Sequence, residues 1–195
     1  VTGVQTCALP IYKGVLGVEF GCSKEAVRAM MDSKHADAKF YQAANGALQW
    51  TDGKWAGEDV AVWTFVFTDS DKLHTIKIVL QPDAENEIWD LYSSLKSLLT
   101  NKYGQPETDI VNWKSPYTIS DKEAYGLSAL KIGKVVYSAY WEKNNNPENK
   151  DDYNNIMVEI NPNVTVRVTY QNGLLIKDRK STRLNSSHLV ISYAV

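Results

Sequence analysis

The chain has 195 residues, a formal net charge of −2, 44% apolar residues and 23% charged ones. These values suit an ordinary globular protein and exclude a collagen-like, low-complexity or strongly basic nucleic-acid-binding chain. No run of 18 or more apolar residues occurs, so no transmembrane helix is encoded, and two cysteines cannot build a disulfide scaffold.

Both ends read as something other than selected protein. Val1-Thr2-Gly3-Val4-Gln5-Thr6-Cys7-Ala8-Leu9-Pro10-Ile11 resembles the translation of a sequencing adapter. Asp178-Arg179-Lys180-Ser181-Thr182-Arg183-Leu184-Asn185-Ser186-Ser187-His188, with the residues to Val195, resembles translation of the complementary adapter strand. Such scars are set aside before reasoning about fold. Residues 1–11 and 178–195 are therefore expected to be adapter-derived, and 12–177 to form one α+β domain, or two similar halves, 12–81 and 82–177. Setting the ends aside removes Arg179, Lys180, Arg183 and Asp178 and leaves a more acidic chain with one cysteine, Cys22, and two histidines, His35 and His74.

From the N-terminal side, 14–21 is a short extended segment closed by glycine. Ser23 is placed to cap a helix by accepting a first-turn N–H, and Glu25 suits the positive end of the helix dipole. Val27, Met30 and Met31 give that helix one apolar stripe, which ends near Asp32-Ser33. Phe40-Tyr41 and 47–50 flank Asn45-Gly46, a hairpin signal. Val60 to Phe67 is β-branched and aromatic on both faces, as in a strand covered on both sides. After the turn 68–71, Leu73 to Leu80 pairs back, with Ile76, Ile78 and Leu80 on one face.

A second helix starts after Pro82-Asp83. Ile88, Leu91, Leu95, Leu98 and Leu99 recur at helical spacing, Gly104 sits at the C-cap and Pro106 forbids continuation. Asp109 to Trp113 reads as a short strand, and Lys114 to Gly126 as turns with little periodicity. Val135 to Trp141, then 156–160 and 164–170, complete three further strands, the last two joined by Asn161-Pro162-Asn163. The predicted order is αββββαββββ. Loops this short between strands cannot make parallel crossovers, so the fold class expected is α+β, with antiparallel sheet or sheets covered by two helices.

Two segments carry a resemblance. One is Gly17-Val18-Glu19-Phe20-Gly21-Cys22-Ser23-Lys24-Glu25-Ala26-Val27, of the form G-x-x-F-G-x-S-K-E-x-V. The other runs from Leu95 to Pro106 and ends Lys102-Tyr103-Gly104-Gln105-Pro106. Together they resemble small secreted or periplasmic proteins of Bacteroides-type bacteria. The helix-then-meander order is similar to the folds of the β-lactamase inhibitor protein and of outer-membrane-assembly lipoproteins. The resemblance implies a non-enzymatic fold and a secreted or periplasmic location, and it transfers no functional residue.

The chemistry-bearing residues give little. Cys22 precedes a helix N-terminus, but only His35 and His74 are available as its base and no Cys-His signature surrounds it. Those histidines have no Cys or Glu at ligand spacing, and Asp69-x-Asp71 and Asp151-Asp152 lack the rest of a calcium loop. No phosphate-binding, dinucleotide-binding, serine-hydrolase or zinc-protease motif occurs. Catalytic residues, metal ligands and cofactors are therefore all expected to be none.

The mild excess is aromatic, with six tryptophans and eleven tyrosines. Trp and Tyr favour recognition surfaces because they bring large area and a polar handle. Trp55, in a predicted loop, is expected at the surface, and Trp55, Tyr117 and Trp50 are the candidate binding residues. The expected function is binding of another macromolecule, protein or polysaccharide but not nucleic acid, through one face of the sheet. The competing class is a hydrolase whose carboxylates meet only in three dimensions.

Overall fold

The computed structural model describes residues 14–150 and 152–177. The two terminal segments read as adapter-derived, 1–11 and 178–195, lie outside the described residues. The chain folds as an α+β structure on an antiparallel sheet.

Gly14–Val15 (β1) and Val18–Glu19 (β2) form a small hairpin that leads into helix α1, Lys24–Lys34. Ser23 Oγ accepts the Ala26 N–H at 3.2 Å, and the Asp71 carboxylate accepts the Lys24 N–H at 3.3 Å. Two backbone bonds, Gly21 N–H to the Leu73 carbonyl and Leu73 N–H to the Cys22 carbonyl, tie the same segment to the core. The first resembling motif therefore clamps α1 onto the turn at 68–72.

Five strands follow: Lys39–Gln42 (β3), Leu48–Thr51 (β4), Gly53–Trp55 (β5), Glu58–Phe67 (β6) and Leu73–Leu80 (β7). A short 3-10 turn, Glu85–Glu87, precedes helix α2, Ile88–Tyr103. The remaining elements are Thr108–Trp113 (β8), helix α3, Lys122–Lys131, then Val135–Asn144 (β9), Tyr153–Asn161 (β10) and Thr165–Asn172 (β11). Residues 173–177 are helical.

The order therefore departs from αββββαββββ in four places. The hairpin β1–β2 precedes α1, the short β5 is added, α3 interrupts the second run of strands, and the helical segment 173–177 follows β11. The third departure has a clear cause. The buried residues of α3 are Gly126, Ala129 and Leu130. Glycine and alanine make a weak hydrophobic stripe, so the helix is hidden in the pattern. The glycine lets the helix approach Trp89 closely, since a Cβ at 126 would lie 3.3 Å from that ring.

The large sheet runs β3-β4-β6-β7-β11-β10-β9-β8, with β5 paired to β6. It consists of two meanders, each preceded by a helix and joined to the other through its last strand, β7 against β11. Alternation along each strand sets one face toward the helices. That face carries Trp50, Trp63, Phe65, Ile76, Ile78, Val168, Tyr170, Ile156, Val158 and Trp141, all buried.

Helix α2 packs Ile88, Leu91, Leu95 and Leu99 onto β10 and β11, and α1 adds Val27 and Met31. Burying each such side chain contributes about 1.5–3 kcal/mol. The second resembling motif is also structural: Gly104 adopts φ 88° after α2, and its carbonyl accepts the Trp141 indole N–H at 2.8 Å. No helix among the described residues is long and apolar enough to cross a membrane.

Candidate functional site

Because α1, α2 and α3 lie over one face, no described element covers the other. Cross-strand register makes this open face a set of straight rows. The longest runs Tyr41, Gln49, Thr64, Lys77, Thr169, Met157, Tyr140 and Thr108, one residue from each of eight strands. At roughly 4.8 Å per strand the row is about 34 Å long. A second row holds Val62, Val79, Arg167, Glu159, Ser138 and Ile110, and a third holds Val66, Thr75, Gln171, Asn155 and Glu142. Three rows spaced about 7 Å apart cover an area of the order of the roughly 800 Å² that one partner brings to a specific interface.

The three rows carry four charged residues, Lys77, Arg167, Glu159 and Glu142, whose charges sum to zero. Arg167 Nε donates to Glu159 Oε1 at 2.8 Å, which cancels that charge pair within the surface. Gln49 Nε2 donates to Thr64 Oγ1 at 3.1 Å, and the Tyr140 hydroxyl donates to Glu142 Oε2 at 2.6 Å. Burial and the neighbouring Glu142 carboxylate both push the Tyr140 phenol up, so it stays a donor. Thr75, Thr169 and Asn155 are buried within the rows. Hydroxyls, amides, Tyr140, Met157 and a paired arginine resemble the charge-poor core of a recognition interface.

The three residues selected from sequence are not brought together on this face. Trp50 is 1% exposed and packs between Phe40, at a ring distance of 5.0 Å, and Phe65, at 5.4 Å. It is a core residue, and its assignment to binding is corrected: its strand presents it to the helix side. Trp55 lies in strand β5 rather than a loop and is half-buried, packed against the core. Tyr117 follows β8 at the far edge and meets the Tyr125 ring at 6.5 Å. At least five strand spacings, about 24 Å, separate it from Trp55. The residues that sequence reasoning missed are Tyr140, Met157 and Thr169. For Met157 and Thr169 the signal is their alternation with the apolar residues Ile156, Val158, Val168 and Tyr170.

A second concavity, about 510 Å³, opens between the β5–β6 hairpin, the chain after β7 and the start of α2. Glu58, Asp59, Asp83, Glu87 and Asp90 line it together with Lys54. Three of these acids have local partners or roles. Asp59 pairs with Lys54 at 2.8 Å, Glu87 accepts the Ala84 N–H at 3.3 Å, and Asp90 sits in the first turn of α2. Such acids stabilise the helix start.

Cys22 is half-buried and is a free thiol. His35 packs against the Trp63 ring at 4.9 Å, and burial, helped by Lys34, lowers its pKa. His74 lies on the helix side, with Nδ1 2.8 Å from the Thr75 hydroxyl. Among the described residues no group of three or more His, Cys, Asp or Glu is arranged to hold a metal ion. Comparison with family models, with curated proteins and with solved structures finds no match to this chain.

Proposed function

We propose that this protein is a non-enzymatic binding protein that engages another macromolecule through the open face of its sheet. The observation that carries this reading is the one-sided placement of the helices. It leaves a platform bearing Lys77, Tyr140, Met157 and Thr169, with no described element over it. An extended face of this size suits a protein or an extended polysaccharide, since a small molecule needs a concavity that buries most of its surface. A secreted or periplasmic location belongs to the same proposal and rests on the resemblance of the two helix-end motifs.

The test is capture from extracellular and envelope fractions of the source organism, together with a glycan array, using the full chain and its Met157→Arg variant. Met157 is half-buried on the uncovered side, so the variant keeps its fold within about 1 kcal/mol. The reading expects Met157→Arg to lose the ligand that the wild type captures. Equal capture by both proteins rejects the open face.

The acidic groove supports a second reading, a hydrolase with carboxylates assembled from three chain segments. It expects turnover of a glycoside or ester panel that disappears in Asp83→Asn and Glu58→Gln variants. No turnover by the wild type removes it.

A further inference from the structure

The two edges of the sheet are built differently. Strand β3, at one edge, has four residues; Lys39 at its start pairs with Asp52 at 2.8 Å, and Arg28 covers the Phe40 ring at 4.3 Å. Charged groups and short length are the usual protection of a strand edge. Strand β8, at the other edge, has six residues, no lysine or proline, and no register break against β9. Its Ile110 is 42% exposed on the open face and its Val111 is 50% exposed on the helix side.

The direction of its backbone groups follows from the register. Lys114 N–H donates to the Lys134 carbonyl at 2.8 Å, in line with the pairing of Trp113 with Val135. The even-numbered residues of β8 thus turn their backbone groups to β9, and Asp109, Val111 and Trp113 turn theirs to the free edge.

Beside that edge, on the helix side, lies a groove of about 330 Å³ between β8, β9 and α2. Tyr92 and Tyr137 line it, in edge-to-face contact at 5.6 Å, with Val111 and with Ser97, Thr100 and Asn101 of α2. Lys96 of the groove pairs with Asp109 of β8, so the charges cancel. Tyr92 is 3% exposed, and its buried hydroxyl has no hydrogen-bond partner among the described residues. A buried polar group without a partner is uncommon and is relieved when a ligand supplies one.

We propose that β8 and this groove take up an extended peptide of a partner protein as a further strand, with one neutral polar side chain seated in the groove to meet the Tyr92 hydroxyl. An extended backbone complements the outward N–H and C=O groups of residues 109, 111 and 113. Alternate side chains of an added strand fall into the groove and onto the open face beside Ile110. The mutual neutralisation of Lys96 and Asp109 selects an uncharged residue for the groove. This site adjoins the platform at Thr108 and Ile110 and does not include Met157.

The probe is a phage-displayed library of random ten-residue peptides, panned on the full chain and counter-selected on its Val111→Pro variant. Proline at 111 removes an edge N–H without removing a bond to β9. A selected peptide, made synthetically, is expected to bind the wild type and to lose about tenfold or more affinity toward Val111→Pro. If Val111→Pro does not fold, Val111→Lys, which keeps the backbone and guards the edge with a charge, gives the same loss. Hydrogen exchange at Asp109, Val111 and Trp113 is expected to slow with peptide bound. Tyr92→Phe is expected to bind severalfold more weakly, with its melting temperature unchanged or higher. No enriched peptide, equal binding to the edge variants, or equal binding to Tyr92→Phe overturns the proposal. So does a wild-type dimer in sedimentation that Val111→Lys dissociates, since a second copy then fills the edge.

Discussion

The two meanders of the sheet solve the same packing problem with different materials. The first, β3-β4-β6-β7, builds its core from stacked rings: Phe40, Trp50 and Phe65 in contact, and Trp63 beneath His35. The second, β8-β9-β10-β11, is covered by a long aliphatic helix, with Trp89, Tyr92, Trp113 and Tyr137 gathered at its margin. Rings close the first meander out to a short, charge-guarded edge. The second meander outruns its helix, so that β8 and the groove next to it stay accessible. Edge surface therefore stays accessible where the helix layer stops short of the sheet.

The largest expected effect tests the aliphatic half. Leu95→Ala removes a buried side chain of α2 and should cost about 2–5 kcal/mol, measured by denaturant unfolding. A loss below about 1 kcal/mol would mean that α2 is not the core helix. The ring-built half is sharpened by Gly53→Ala. A Cβ at 53 would stand 1.9 Å from the Trp63 ring, so either the β5 backbone or the indole must move. The expected cost is about 1–3 kcal/mol. A fully neutral Gly53→Ala would show that β5 does not lie across Trp63.

The smallest effect concerns His35. Burial lowers its pKa in the folded protein, so below its ordinary value near 6.5 the unfolded chain takes up a proton that the folded one refuses. Stability falls as pH drops from about 6.5 toward the lowered folded value, and His35→Gln should lose that part of the slope. Parallel wild-type and variant pH profiles would contradict the packing of His35 on Trp63.

Much of this architecture was legible in the sequence, for a local reason. Ile88, Leu91, Leu95 and Leu99 announce α2, Ser23 announces the start of α1, and the alternation from 164 to 170 announces β11. Each signal lies within one element. Helix α3 was not legible because its inward residues include Gly126, which lies close to Trp89, and Ala129, and these carry no strong apolar stripe. The open face was legible only as the polar parity of separate strands. Which parity becomes a surface depends on where the helices land, and the row from Gln49 to Tyr140 exists only after β7 pairs with β11. Trp50 misled for the same reason, since its contacts with Phe40 and Phe65 come from other strands.

Hydroxyl-radical footprinting of the full chain, free and with its captured macromolecule, tests the central claim most directly. Met157 and Tyr140 on the open face should be labelled in the free protein, while Met31, buried on the inner side of α1, stays silent. On binding, Met157 and Tyr140 should become protected and Met31 should not change. Unchanged labelling of Met157 and Tyr140 in the complex would contradict the account.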